Sequence, residues 1–201
     1  MSTKILKDVA IAISLVVGTL FITGVATISL MLFLPHNHQD WFYLGTRIAL
    51  LVSVMIIAYI YHLIFGINYR LTIERTKKIL FFKLLSFTIM LITTVVVLKD
   101  WSLNEIGLLL LSFFISAVAE ELLFRGLVEY QLKKDFQLVF VIFVQAILFA
   151  FLGHQGFDWY SNLIVRLPLG IALSVLRHWT DSYSMAMAVH YAYNASVSLI
   201  F

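Results

Sequence analysis

The sequence predicts an all-α membrane protein, a polytopic bundle of about seven transmembrane helices with a cytoplasmic amino terminus. Of its 201 residues, 62% are hydrophobic and only 12% are charged, and the mean hydropathy is +0.98. Soluble domains average about a quarter charged residues. The chain therefore has too little polar surface to coat a soluble globule, and its apolar runs are long enough to cross a bilayer as helices. We expect a single membrane domain over residues 1–201.

The first three apolar runs occupy the amino-terminal half, at about residues 9–34, 42–65 and 79–98. The first run is too long for a signal-peptide core and no small-residue cleavage site follows it, so we expect it to be retained as a span. The remaining runs lie at about residues 106–131, 136–153, 160–175 and 183–201. The sixth is the least regular, because Arg166 and Pro168 lie within it and both disfavour a membrane helix.

Basic residues near the ends of the spans predict the orientation, since Lys and Arg in short loops stay on the cytoplasmic side. A cytoplasmic amino terminus places nine of them inside and only Lys99 outside; the nine are Lys4, Lys7, Arg70, Arg75, Lys77, Lys78, Lys133, Lys134 and Arg177. The net charge of +3 is then explained by basic loops that face an anionic leaflet, and no nucleic acid is implied. The chain has no cysteine, which excludes a disulfide, a thiolate nucleophile and a Cys-based metal site.

Two adjacent carboxylates and an arginine, Glu120, Glu121 and Arg125, interrupt the fourth apolar run. Each ionised side chain at the centre of a membrane helix costs about 2.5 to 3.5 kcal/mol, so three of them indicate a functional site. Helical geometry puts Glu121 and Arg125 on one face, at i and i+4, where they can form an ion pair, while Glu120 points about 100° away. A purely structural ion pair would leave Glu120 unexplained, and we expect this residue to face a cavity.

Three further polar residues lie in later spans. His154 follows the fifth span, and His190 and Asn194 share one face of the seventh. Taken singly, each has a structural explanation, as an interfacial histidine or as a hydrogen-bonding group between helices. A rise of about 1.5 Å per residue places Glu120 about 21 Å and His154 about 27 Å from the turn near Lys134, and the two side chains lean toward each other. We therefore expect the two histidines and Glu120 to converge.

These motifs resemble those of the CAAX protease and bacteriocin-processing family, also called CPBP or Abi proteins. The resemblance covers roughly residues 111–201, in the family's order and approximate spacing: Glu120, Glu121 and Arg125, then His154, then His190 and Asn194. One position departs from the family, because Ala150 lies four residues before His154, where the family usually has phenylalanine. The first hundred residues carry no motif.

The resemblance implies a CAAX-type intramembrane endopeptidase with a catalytic core in about residues 106–201. Such an enzyme hydrolyses peptide bonds of membrane-associated or lipidated peptides with water activated by glutamate and histidine, possible roles being bacteriocin processing or self-immunity. The resemblance implies that Glu120, His154, His190 and Asn194 are catalytic, that Glu121 and Arg125 support them, and that no metal or cofactor is needed. The expected partners are membrane lipids and a peptide or lipidated protein substrate. The absence of cysteine and the compact length suggest a multi-pass protein of a bacterial cell membrane.

Other functions use similar residues. Zinc can be bound by two histidines and a glutamate, although the chain has no His-Glu-x-x-His helix and Arg125 would oppose a dication. A non-proteolytic membrane binding or immunity protein could sequester a peptide in the same pocket. A proton-coupled transporter would also place carboxylates and histidines in mid-membrane, but no inverted repeat is visible. Prenyl-protein processing is a further possibility by analogy with eukaryotic relatives.

Overall fold

The structure, a computed structural model, describes residues 3–33, 39–65, 77–98, 103–156 and 158–200, and these residues form helices and turns without a β-strand. The first three helices are α1 (Thr3–Phe33), α2 (Gln39–Phe65) and α3 (Lys77–Leu98). Helix α4 consists of Leu103–Glu121, a π-helical stretch at Leu122–Val128 and a last turn at Glu129–Leu132. The predicted fold class is confirmed.

Two of the remaining three helices also contain π-helical stretches. Helix α5 runs over Leu138–Ile147 and continues as a π-helix at Leu148–Leu152. Helix α6 comprises Trp159–Ser161, a π-helix at Asn162–Arg166 and Leu167–Thr180, and helix α7 spans Tyr183–Ile200. The irregular sixth span is thus a continuous helix, because the π-helical turn ends just before Pro168 and lets the chain continue despite the missing amide hydrogen.

Helix α4 is the centre of the bundle. In the most apolar stretch of α4, 44% of the residues are buried, against 11% to 22% in the corresponding stretches of the other candidate spans. It packs against α1, α2 and α7, and the small residues Ala117 and Ala119 are fully buried where neighbouring helices approach. Helix α3 packs mainly on α7, and a hydrogen bond of 2.8 Å joins the hydroxyl groups of Thr94 and Tyr191.

The outer faces of the helices are apolar and exposed, as expected for contact with lipid. Large side chains such as Phe21, Tyr59, Phe87 and Val139 point away from the bundle. Among the described residues, five helical segments are long and apolar enough to cross a membrane: Ile5–Phe33, Trp41–Phe65, Leu80–Val97, Ile106–Leu132 and Trp159–Thr180. The protein is therefore an integral, multi-pass membrane protein.

Four of the basic residues predicted to be cytoplasmic have described side chains, and all four lie at one end of the bundle. We call it the basic end and define it by Lys7, Lys133, Lys134 and Arg177. Hydrogen bonds tie the helices together there: Gln131 Nε2 to Asp8 Oδ1 (2.5 Å), Lys134 Nζ to the Tyr61 hydroxyl (3.1 Å), Lys133 Nζ to His178 Nδ1 (3.3 Å) and Arg177 Nη2 to the Tyr183 hydroxyl (3.0 Å). The predicted loop residues Arg70, Arg75 and Lys99 lie outside the described residues, as do the side chains of Lys4, Lys77 and Lys78.

Helix α5 is too short to cross the hydrocarbon core. Its ten α-helical and five π-helical residues span about 20 Å, whereas the core is about 30 Å thick. Since α5 starts at the basic end, the turn that joins it to α6 lies below the opposite membrane surface. Irregular backbone at this depth is tolerated only when it is buried in protein or lines a water-filled cavity.

The orientation can be tested by labelling single cysteines, because the chain has none of its own. Gln137 at the basic end and Gln155 in the α5–α6 turn are both exposed. We expect a membrane-impermeant maleimide to react with Gln155→Cys in intact cells and with Gln137→Cys only after the cytoplasmic face is opened. The reverse pattern would show that the basic end faces outward.

Candidate active site

Glu120 lies on α4 and lines a cavity of about 560 Å³. Its side chain is 13% exposed, and its Oε1 atom accepts a hydrogen bond of 2.7 Å from the hydroxyl of Ser116, one turn earlier. The second oxygen, Oε2, is shielded and accepts no hydrogen bond from the described residues. Glu120 thus has one oxygen anchored and the other available to a ligand.

His154 lies in the turn after α5 and faces this unpartnered oxygen. Its Nε2 atom is 3.8 Å from Glu120 Oε2, and its Nδ1 atom is 2.8 Å from the backbone oxygen of Phe149. A carbonyl oxygen can only accept, so Nδ1 carries the hydrogen and donates it. In the neutral ring, Nε2 is therefore the basic nitrogen, and it is the one that faces Glu120.

His190 approaches the same oxygen from α7. Its Nε2 atom is 3.7 Å from Glu120 Oε2, and its Nδ1 atom donates a hydrogen bond of 2.8 Å to Glu121 Oε1. The side chain is 2% exposed. Both histidines thus point Nε2 at Glu120, but His154 is oriented by a neutral carbonyl and His190 by a carboxylate.

Glu121 and Arg125 form a fully buried ion pair, with Glu121 Oε1 at 3.1 Å from Arg125 Nη1. Arg125 also donates a hydrogen bond of 2.9 Å to the backbone oxygen of Gly170 on α6, and its guanidinium lies 4.8 Å from the ring centre of Phe149. The structure places this pair behind His190, whereas Ser116 holds Glu120. Any support that Glu121 gives to Glu120 therefore acts through His190.

The position of Phe149 explains how the chain can have Ala150 where the resembled family usually has phenylalanine. The end of α5 is π-helical, with bonds to the fifth preceding residue, such as Gly153 N to Leu148 O at 3.0 Å. A residue five positions before His154 therefore takes the place that the residue four before would have in an α-helix. The Phe149 ring packs edge to face on His154, with ring centres 4.7 Å apart, and it is fully buried.

The cavity is built from more of the chain than the motifs indicate. Asn194 lines it one turn after His190, as predicted, beside Tyr193. Residues of α1 and α2 form the facing wall, which includes Thr23, Thr27, Thr46 and Arg47, and Arg166 of α6 also lines the cavity. The motifs did not predict this wall, the contact of Ser116 with Glu120 or the positions of the two arginines. The one available signal was the presence of Arg47 and Arg166 in otherwise apolar helices.

The arrangement is suited to proton transfer. One carboxylate oxygen and two imidazole nitrogens meet within 3.8 Å, at the side of a cavity inside a membrane bundle. Fold and site together define an integral membrane protein with a polar site of the kind that an intramembrane hydrolase requires.

Comparison with known families identifies the class more closely. Residues 102–196 match the family described as type II CAAX prenyl endopeptidase Rce1-like. The match covers slightly less than half of the chain, and the predicted resemblance to CAAX-type intramembrane proteases is confirmed. No curated protein and no solved structure shows significant similarity to the chain.

Gly153 provides a test of how the site is positioned. A Cβ atom there would lie 2.7 Å from the backbone oxygen of Phe149, which orients His154, and 3.0 Å from the Phe124 ring. We expect Gly153→Ala to lower stability by about 1–3 kcal/mol and to reduce hydrolysis by displacing His154. Thermal unfolding in detergent and a cleavage assay measure the two effects. The control is Gly24→Ala, where the added methyl meets open space; equal behaviour of both variants would contradict this account.

The buried ion pair provides a second test. Arg125→Met leaves the buried charge of Glu121 with only the hydrogen bond from His190, and we expect a loss of about 3–5 kcal/mol in the free energy of unfolding. Adding Glu121→Gln removes that charge, so the double variant should be more stable than Arg125→Met alone. Chemical unfolding of the wild type and the three variants completes the cycle. Additive losses would show that the two side chains are not coupled.

Proposed function

We propose that this protein is a metal-independent intramembrane endopeptidase in which Glu120 and His154 activate water for attack on a peptide bond. The main support is the convergence of His154 Nε2 and His190 Nε2 on Glu120 Oε2, at 3.8 and 3.7 Å, beside the cavity. The match of residues 102–196 to the Rce1-like family supports the reaction class.

The first step is the attack of water. A modest rotation of the Glu120 carboxylate opens Oε2 to the cavity, where it takes one proton from the water while Nε2 of His154 accepts a hydrogen bond from the other. General-base catalysis of this kind contributes roughly 10²- to 10⁴-fold to the rate. Long contacts such as 3.8 Å are ordinary before substrate binds and shorten in the complex.

The second step is stabilisation of the oxyanion that forms on the carbonyl oxygen when the water attacks the carbonyl carbon. His190 is the second histidine at Glu120, and its Nδ1 hydrogen bond of 2.8 Å to Glu121 holds the ring with Nε2 toward the cavity; a ring that carries both hydrogens donates from Nε2 to the oxyanion. Asn194, one turn later on the same face of α7, adds an amide donor. The carbon–nitrogen bond then breaks, and the proton held by Glu120 passes to the leaving amine.

The expected substrates are membrane-associated or lipidated peptides. The cavity lies within a bundle whose outer faces contact lipid, and its walls mix apolar residues such as Leu20 and Leu50 with threonines. A peptide held at the membrane by an apolar segment or a lipid reaches such a site by lateral diffusion. Bacteriocin processing and self-immunity against a bacteriocin are roles in which the substrate is a peptide of this kind.

The proposal is tested first by cleavage of a library of membrane-bound and lipidated peptides by purified protein. We expect Glu120→Gln and Glu120→Ala to lower the rate by at least about 10²-fold, since neither side chain can act as a base. A strong zinc chelator should leave the wild-type rate unchanged. Thermal unfolding of both variants controls for folding.

Two outcomes would reverse the proposal. Loss of activity in chelator, restored by added zinc, would assign Glu120, His154 and His190 to a metal site, because two histidines and a glutamate are a common zinc ligand set. Cleavage of no peptide, together with unchanged peptide binding by Glu120→Gln, would indicate a non-proteolytic protein that sequesters a peptide.

A further inference from the structure

Ser116 uses its hydroxyl differently from most serines and threonines in the helices of this protein. Most of the described ones, such as Thr19, Ser53 and Ser112, donate to the backbone oxygen four residues earlier, which is a common local partner of a hydroxyl in a helix. Ser116 instead donates forward along α4, at 2.7 Å, to Oε1 of Glu120. An ionised acceptor forms a stronger hydrogen bond than a neutral carbonyl, so the carboxylate is the preferred partner.

The hydrogen bond between Ser116 and Glu120 is shielded from water. Ser116 is 4% exposed, and it lines the same cavity as Glu120. Among the described contacts, the carboxylate accepts a hydrogen bond only from this hydroxyl, because the Nε2 atoms of His154 and His190 lie farther away, at 3.8 and 3.7 Å from Oε2. Before substrate binds, Ser116 is therefore the group that fixes how the Glu120 carboxylate is turned.

We propose that Ser116 is a positioning residue for the hydrolysis, an inference that rests on the proposed function. The side chain of Glu120 has several rotatable bonds, and either of its two oxygens could act as the base. By holding Oε1, Ser116 leaves Oε2 as the oxygen that faces the two histidines. The rotation that opens Oε2 to the cavity then turns about the anchored Oε1, so that the same oxygen takes the proton from water in every turnover.

The hydrogen bond from Ser116 persists through the proton transfer. Before the attack, Oε1 is an oxygen of a carboxylate and accepts from the hydroxyl. After Oε2 has taken a proton from the water, Oε1 is the carbonyl oxygen of a carboxylic acid and still accepts the same hydrogen bond. Ser116 itself neither gains nor loses a proton. The proton on Oε2 therefore stays on the side of the histidines, from which it passes to the leaving amine.

The test compares Ser116→Ala with Ser112→Ala in the cleavage of one synthetic membrane-anchored peptide that the wild type cuts. Ser112 is the matched control, because it lies one turn earlier on α4, is 2% exposed and donates to the backbone oxygen of Leu108 at 2.7 Å. We expect Ser116→Ala to lower kcat about 10- to 100-fold with little change in KM, since the base loses a hydrogen bond and its fixed position. Ser112→Ala should keep the wild-type kcat.

A second pair of variants separates the hydroxyl of Ser116 from the shape of the side chain. Ser116→Thr keeps the donor, whereas Ser116→Val has nearly the same shape and no donor. We expect the threonine variant to have a kcat about 10-fold or more above that of the valine variant, even where the added methyl group lowers both. Thermal unfolding in detergent measures the folding of each variant, and equal melting temperatures for the pair assign the difference in kcat to the hydroxyl.

Two results would overturn the positioning role. One is an equal kcat for Ser116→Ala and Ser112→Ala, or for the threonine and valine variants. The other is complete loss of hydrolysis in Ser116→Ala together with an acyl-enzyme trapped on the wild type, which would make Ser116 a nucleophile that Glu120 activates.

Failure of the proposed function has a different signature, in which the wild type cleaves none of the peptides. A double-mutant cycle in chemical unfolding does not depend on cleavage, and it uses Ser116→Ala and Glu120→Ala alone and together. Coupling between the two losses in stability would show that Ser116 holds the carboxylate, whereas additive losses would overturn the inference.

Discussion

The buried carboxylate of Glu121 is the group on which the arrangement of the site depends. A fully buried charge in a membrane bundle must be compensated, and Glu121 is compensated twice, by Arg125 at 3.1 Å and by the Nδ1 hydrogen of His190 at 2.8 Å. Arg125 in turn reaches the backbone oxygen of Gly170, so one charge joins α4, α6 and α7. Moving any of these helices would leave a charge unpaired at low dielectric, and this cost keeps His190 aimed at Glu120.

The π-helical turns position the remaining groups. Each of the three described π-helical stretches contains residues that line the cavity: Leu123 and Phe124 in the first, Phe149 in the second, and Arg166 at the end of the third. A π-helical turn admits one extra residue, which rotates the following side chains relative to an α-helix. At the end of α5 this rotation brings Phe149 against His154 and supplies the carbonyl that fixes its tautomer. An aromatic ring therefore packs on His154, although Ala150 occupies the position where the CAAX protease family usually has phenylalanine.

Much of this could be predicted from sequence, because composition and helical periodicity are local properties. The seven helices and the pairing of Glu121 with Arg125 follow from apolar run lengths and i, i+4 spacing. From the sequence, the depth of His154 relative to Glu120 can be predicted only to within one helical turn, because a π-helical turn has no clear sequence signal. The wall formed by α1 and α2 could not be predicted, because residues such as Thr23 and Thr46 have no motif and only packing brings them to the site.

The two histidines are chemically distinct although they contact the same oxygen. His154 donates from Nδ1 to a neutral carbonyl, which leaves Nε2 as the basic nitrogen of the neutral ring, whereas His190 donates from Nδ1 to a carboxylate. Hydrolysis needs both an acceptor for a proton of water and a donor to the oxyanion. Helix α5 is too short to cross the bilayer, so its end stops inside it. His154 follows this end and therefore lies where water can enter. His190, held by the carboxylate of Glu121, is 2% exposed, where water screens its interaction with a developing anion least.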